Sequence, residues 1–363
     1  MVEKIQKMPK IARTAIFLGG TALVVAIIFG VTLAVMIGLV QNTPRNVPVA
    51  LIQDVTTAEY MTLPDNDSYP ATVAVDAQGT VYTGSYITGT IWAMDTRLNM
   101  REIPNTREQI GAVSAITVAP SGDIYILDIV AFSTVQSQGA KIWKLGADDS
   151  LTLVKDYSGA NADIITLPDD IAIDNDGRIY ITDRGTNRNQ DVIWRISSDG
   201  TEGVWWQSPN IEPFVSYAPT GLGYNPETNT LYVSDSILDV IYALPIQPDG
   251  TIGAEQTIYD RRQSNEQGGA VGFDGISVAP DGKVYIAGLV NNRVGVYDPN
   301  TGLLTYLAGN YRGLADVAYD PLTQRIFAVN WDQRSLLPTP VIFLDVQTQP
   351  HVPFTIDVIM YQS

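Results

Sequence analysis

One pattern recurs six times after residue 65, and it constrains the fold more than any other feature. A short run of small apolar residues leads into a turn rich in Asp, Asn, Pro and Gly. A second run follows, centred on an aromatic, and then a third with an aliphatic residue beside an aromatic. The first runs lie at 72–76, 115–119, 170–174, 221–225, 275–279 and 316–320. The aromatics of the second are Tyr82, Tyr125, Tyr180, Tyr232, Tyr285 and Phe327, spaced 43, 55, 52, 53 and 42 residues apart. The third runs carry Ile91-Trp92, Ile142-Trp143, Ile193-Trp194, Ile241-Tyr242, Val296-Tyr297 and Ile342-Phe343. That interval suits one four-stranded blade, and six blades fit the available length. Alternation within each strand places apolar side chains between blades, while the turns take Gly, Asn and Asp. The expected fold is all-β, a six-bladed β-propeller over residues 65–363. Residues 353–359 read as a fourth strand of the last blade. Either 47–53 or 59–63 reads as the segment that pairs with it or caps an edge, sealing the ring against exposed edge strands.

The N-terminus follows a different rule. Residues 15–40 carry no charge, and as a helix they extend about 39 Å, enough to span a ~30 Å hydrocarbon layer with some tilt. Lys4, Lys7, Lys10 and Arg13 precede the run against one acid, Glu3, so the positive-inside bias keeps the N-terminus in the cytoplasm and sends the propeller outside. A cleaved signal peptide would have a shorter apolar core and a small-x-small exit. The expected organisation is a cytoplasmic tail (1–14), one transmembrane helix (15–40), a linker with a closing strand (41–64) and the propeller. Ala22, Ala26, Gly30, Ala34 and Gly38 recur every fourth residue, a shallow stripe against which another transmembrane helix can pack.

Composition narrows the chemistry. Cysteine is absent, which excludes disulfides, thiol nucleophiles and cysteine-bound metals. The single histidine, His351, sits between prolines and reads as structural, which leaves no Ser-His-Asp triad and no multi-histidine metal centre. The chain carries a formal charge of −17. Because residues 1–44 hold four cations and one acid, the remainder stands at −20, which disfavours nucleic acid and anionic lipid surfaces as partners.

Two stretches resemble known families. Residues 69–84, with Tyr82-Thr-Gly84 after an apolar strand, resemble the opening blade of strictosidine-synthase-like proteins, some of which carry one N-terminal membrane helix. Residues 273–282, beginning Phe273-Asp-Gly275, together with Asn292-Arg293 and the segment to Gly302, look like the fifth blade of the regucalcin/gluconolactonase family. The resemblance implies a divalent, calcium-like cation at the central opening, held by a Glu in the first blade, an Asn in the fourth and an Asp in the fifth, with a nearby third-blade Asn. The matching positions here are Ala71, Thr220, Asp274 and Asp169, with Ser114 and Ala315 completing the ring. Asp169, Asp274 and Thr220 are thus the candidate metal ligands, and Asp274 the candidate catalytic residue. Asp170 and Asp316, one residue further along, stand ready to lean in. The loss of the glutamate to Ala71 removes a ligand and a charge, leaving no firmly implied cofactor and at most weak calcium at the central opening.

Other signals point elsewhere. Asp183-Arg184 with Asn187-Arg188 reads as a solvated loop, or else an anion site. Trp205-Trp206 would put one indole on each face of an outer strand, and Pro338-Thr339-Pro340 reads as a rigid turn. The leading functional expectation is a membrane-anchored, extracytoplasmic, non-catalytic propeller that serves as a binding or scaffold subunit of a membrane complex. The alternative is a calcium-dependent, lactonase-like hydrolase with a rearranged site.

Overall fold

The computed structural model describes residues 9–41, 46–130, 139–185, 191–209, 218–264, 269–336, 338–341, 344–347 and 349–362. Two compact units emerge, Met1–Arg45 with Gln333–His351, and Asn46–Asp332 with Val352–Ser363.

The larger unit is a six-bladed propeller of antiparallel sheets, each blade running from an inner to an outer strand. The inner strands are Pro70–Val75, Val113–Val118, Pro168–Ile173, Leu222–Asn225, Phe273–Val278 and Leu314–Asp320. Alternation works as the sequence implied: Ile91, Ile103, Val113 and Ile126 bury between blades 1 and 2, and Ala115, Ile142, Tyr157 and Ile181 between blades 2 and 3. Each such large side chain contributes roughly 1.5–3 kcal/mol on burial.

The last blade departs from the sequence reading. Its second strand, Arg325–Asn330, pairs with Thr355–Tyr361, which in turn pairs with Val55–Thr62. The C-terminal strand is therefore third, not fourth, and the N-terminal segment supplies the outer strand. Ile342-Phe343, taken as the third-strand signature, lies outside the described residues. The two candidate closing segments divide the work, because Val49–Ala50 adds a fifth strand to blade 5. The reason is local. Residues 55–62 are long enough to cover the whole of 355–361 and place Val55 and Met61 in the core.

The Trp205-Trp206 expectation also needs correction. Register slips by one residue opposite Ile193/Trp194, so Trp194 faces Val204 while Ile193 faces Trp206. This bulge lets both indoles pack inward. Trp205 packs edge-on against Tyr180 and donates to the Gly250 carbonyl; Trp206 packs on Tyr242 and donates to Glu255.

The smaller unit holds a helix, Lys10–Gln41, and a hairpin of Pro338–Val341 with Leu344–Gln347 that contacts it. The two prolines read as a rigid turn lie in a paired strand instead. Leu18–Gly38 is long and apolar enough to cross a membrane, and none of this stretch is enclosed by protein. Ala22, Ala26, Gly30 and Ala34 are exposed along one side of the helix, and Gly38 is half-buried.

Candidate functional site

The inner strands converge on a central channel, and five of the six share one irregularity. Register slips between Pro70 and Thr72, Val113 and Ala115, Pro168 and Ile171, Phe273 and Ile276, and Leu314 and Asp316. Each slip leaves an extra residue at the start of the strand, and a bulge of this kind re-aims the side chain it carries. Ala71, Ser114, Asp169, Asp274 and Ala315 thereby line a single opening. Thr220 is the exception. Its hydroxyl donates to the Phe273 carbonyl at 2.9 Å and shares a 3.0 Å bond with Ser234, so Thr220 is buried between blades 4 and 5 and Gly221 lines the opening instead.

Below this ring, Asp170 and Asp316 face each other from opposite blades. They do lean in, but their oxygens are engaged. Asp170 accepts from the amides of Ile171 and Leu222, both at 2.7 Å, and Asp316 from those of Val73 and Val317 at 2.9 and 2.8 Å. Each carboxyl thus satisfies edge amides of its own strand and of the next blade, the groups an inner strand cannot pair within its sheet. Gly275 makes room for this: a Cβ there would stand 2.1 Å from Asp316 Oδ1. The stitching continues around the ring. Thr72 accepts from the Ile116 amide, Ser114 donates to the Asp169 carbonyl, Ser234 to that of Asp274, and Ser277 accepts from Tyr319.

Three residues invisible to the ring alignment gather at the opening, two in its lining and the third paired with a lining carboxyl. Tyr86, Arg184 and Trp331 each follow the last residue of a second strand, and their amides donate to Tyr69, Leu167 and Gly313 in the same geometry. Tyr86 and Trp331 line the opening with ring centroids 4.6 Å apart. Arg184 is not on a solvated loop. Its Nη2 lies 2.8 Å from Asp169 Oδ1, with the two side chains only 18% and 19% exposed. Asp183 binds the amides of Thr166, Leu167 and Gly185 and so fixes the chain that carries Arg184. Asn187 and Arg188 lie outside the described residues.

Four carboxyls and one guanidinium therefore share the channel, and the low-polarity wall penalises ionisation. Burial pushes Asp169 upward while Arg184 opposes it. Asp274 is held well above the ordinary carboxyl range by burial and then by the charge of Asp169, again with Arg184 opposing. Burial and the facing Asp316 raise Asp170 likewise, and burial pushes Asp316 up to about 7. Burial also raises the Tyr86 phenol, and Arg184, Asp169 and Asp274 act on it too.

A divalent cation of the kind the family resemblance implies does not fit these residues. Calcium takes 6–8 oxygen ligands. Here Ala71 and Ala315 offer none, Thr220 is turned away, and Asp169 is engaged by Arg184. Only Asp274 remains as a carboxylate of the upper ring.

Comparison with known proteins matches residues 135–308 to the family model described as the SMP-30/gluconolactonase/LRE-like region. That stretch, within the propeller, is SMP-30/gluconolactonase-like. Among solved structures, this chain resembles a gluconolactonase from Xanthomonas campestris at 15% identity and TM-score 0.59, covering 89% of this chain and 99% of that one. It also resembles a calcium-binding regucalcin from Agrobacterium tumefaciens at 15% identity and TM-score 0.55, covering 83% and 93%. Virginiamycin B lyase from Staphylococcus aureus aligns at 15% identity and TM-score 0.51, covering 84% and 99%. At such identities the likeness establishes the fold alone. No curated protein sequence matches the chain.

Proposed function

We propose that this SMP-30/gluconolactonase-like propeller is a membrane-anchored, extracytoplasmic binding or scaffold subunit rather than a metal-dependent hydrolase. The observation that carries the reading is the pairing of Arg184 with Asp169, a carboxyl that lines the central opening. A lactonase of this type relies on a bound cation to polarise the substrate carbonyl, and here a guanidinium engages one of the two upper carboxyls, while the glutamate position is Ala71. The anchor supports the same reading. A helix uncharged throughout Leu18–Gly38 holds the propeller at a membrane, and the Ala22–Gly38 stripe gives a second transmembrane helix a close approach.

The test is calorimetry with calcium together with lactone turnover, on the full chain in detergent. The expected outcome is no saturable calcium binding in the micromolar range and no turnover above background. Stoichiometric micromolar binding, with turnover that vanishes in Asp274→Ala, would overturn the proposal in favour of a lactonase-like hydrolase with a rearranged site.

A further inference from the structure

Arg184 has a consequence beyond weakening one ligand. A guanidinium and a divalent cation compete for the same carboxylate lone pairs, but the guanidinium is tethered and cannot diffuse away. It stays protonated at any physiological pH. Its position is also built rather than incidental: Arg184 follows directly on Asp183, whose carboxyl is fixed by three backbone amides, and its own amide donates to Leu167. The Asp169 side it meets is equally fixed, since the Asp169 carbonyl accepts from Ser114 at 2.7 Å.

We infer that Arg184 is a resident counter-ion that blocks a latent divalent-cation site formed by Asp169 and Asp274 at the central opening. The guanidinium supplies the positive charge that would otherwise come from solution. It bonds to Asp169 and acts electrostatically on Asp274, drawing that carboxyl toward ionisation against the effect of burial. Removing it leaves two carboxyls with no fixed partner cation, facing an opening where Gly221, Ala71 and Ala315 add no bulk. Backbone carbonyls and water are then left to complete the oxygen shell of a hard cation. The inference rests on the reading that the native opening takes no divalent cation.

The experiment titrates calcium by calorimetry into the full-length protein in detergent at pH 8, where the upper carboxyls ionise most readily. Terbium luminescence, sensitised by Tyr86 and Trp331 at the opening, gives a second readout. Arg184→Ala and Arg184→Gln are both measured, so that the unfolding of one variant leaves the other to decide; circular dichroism and melting establish which is native-like. The expected result is a saturable, stoichiometric site in the folded variants, at least about tenfold tighter than in the wild type and reaching the millimolar range or better, as for sites of low ligand charge. Arg184→Lys, which keeps a cation in place, stays closed, and adding Asp274→Asn to Arg184→Ala abolishes the gain. If folded variants bind no better than wild type, or if the gain survives Asp274→Asn, the inference fails while the proposed function stands. Wild-type binding as tight as that of the variants would end both.

Discussion

At the scale of single residues, the buried carboxyls of the channel set a pH dependence whose direction can be worked out. In the unfolded chain they titrate near the ordinary value of 3.8, whereas in the fold Asp316 titrates at about 7, and Asp170 and Asp274 are also raised. A raised folded pKa means that the native state binds the proton more tightly. The stability this contributes is complete below the unfolded value and is lost as pH rises through the folded one. Melting temperature should therefore fall between about pH 4 and pH 8. Exposed turn aspartates such as Asp95 and Asp148 are shifted downward, so their effect lies at lower pH and does not cancel this one. Asp274→Asn removes one of the raised groups without taking an acceptor from any stitched amide. It should raise the melting temperature at pH 8 and change little at pH 4.5; a drop at pH 8 would contradict the burial argument. Five of the six ring positions were legible because the repeat aligns them; Thr220 was misplaced because its blade lacks the register slip of the other five. Tyr86 and Trp331 were not legible, and Arg184 was read only as part of a solvated loop or an anion site, because the three sit one residue beyond the second strands, where the repeat carries no shared residue type. The available signal was positional: aligning the ends of the second strands, as well as the starts of the first, brings these three together.

At the scale of elements, the repeat located every blade, yet the last was assembled wrongly from sequence. A strand signature such as Ile342-Phe343 is generic, and an inserted hairpin of Pro338–Val341 and Leu344–Gln347 mimicked the missing strand. Strand order within a blade is set by long-range pairing, which a local pattern does not encode. The tandem tryptophans failed for a related reason, since a bulge breaks the period of two on which the exposure argument depended. The closing strand gives a clear test. A chain that starts at residue 46 keeps Val55–Thr62, whereas one that starts at 64 leaves Thr355–Tyr361 as a bare edge. The shorter chain loses the burial of Val55 and Met61, roughly 3–6 kcal/mol from the two side chains together, and gains an edge prone to pair with other molecules. It should melt markedly lower and aggregate on gel filtration. Equal melting temperatures for the two chains would show that the outer strand is dispensable.

At the scale of the whole molecule, the proposed anchoring, with the cationic residues before the apolar helix on the cytoplasmic side, makes a testable prediction. The full chain should stay with membranes after carbonate washing, and protease added outside intact cells or spheroplasts should reach the propeller. Recovery of a soluble form beginning near residue 42 would instead mean that the helix is a cleaved signal. One consequence concerns the order of synthesis. Val55–Thr62 emerges from the ribosome soon after the helix, but its partner strand Thr355–Tyr361 is made only after the other blades. About 290 residues separate the two, which at typical elongation rates means a wait on the order of 15–60 s. Throughout that interval Val55–Thr62 has no native sheet partner, and the ring cannot close until Thr355–Tyr361 has been made. A nascent chain stalled before residue 355 therefore has no way to complete its final blade, so premature termination anywhere upstream leaves an open ring for quality control to recognise.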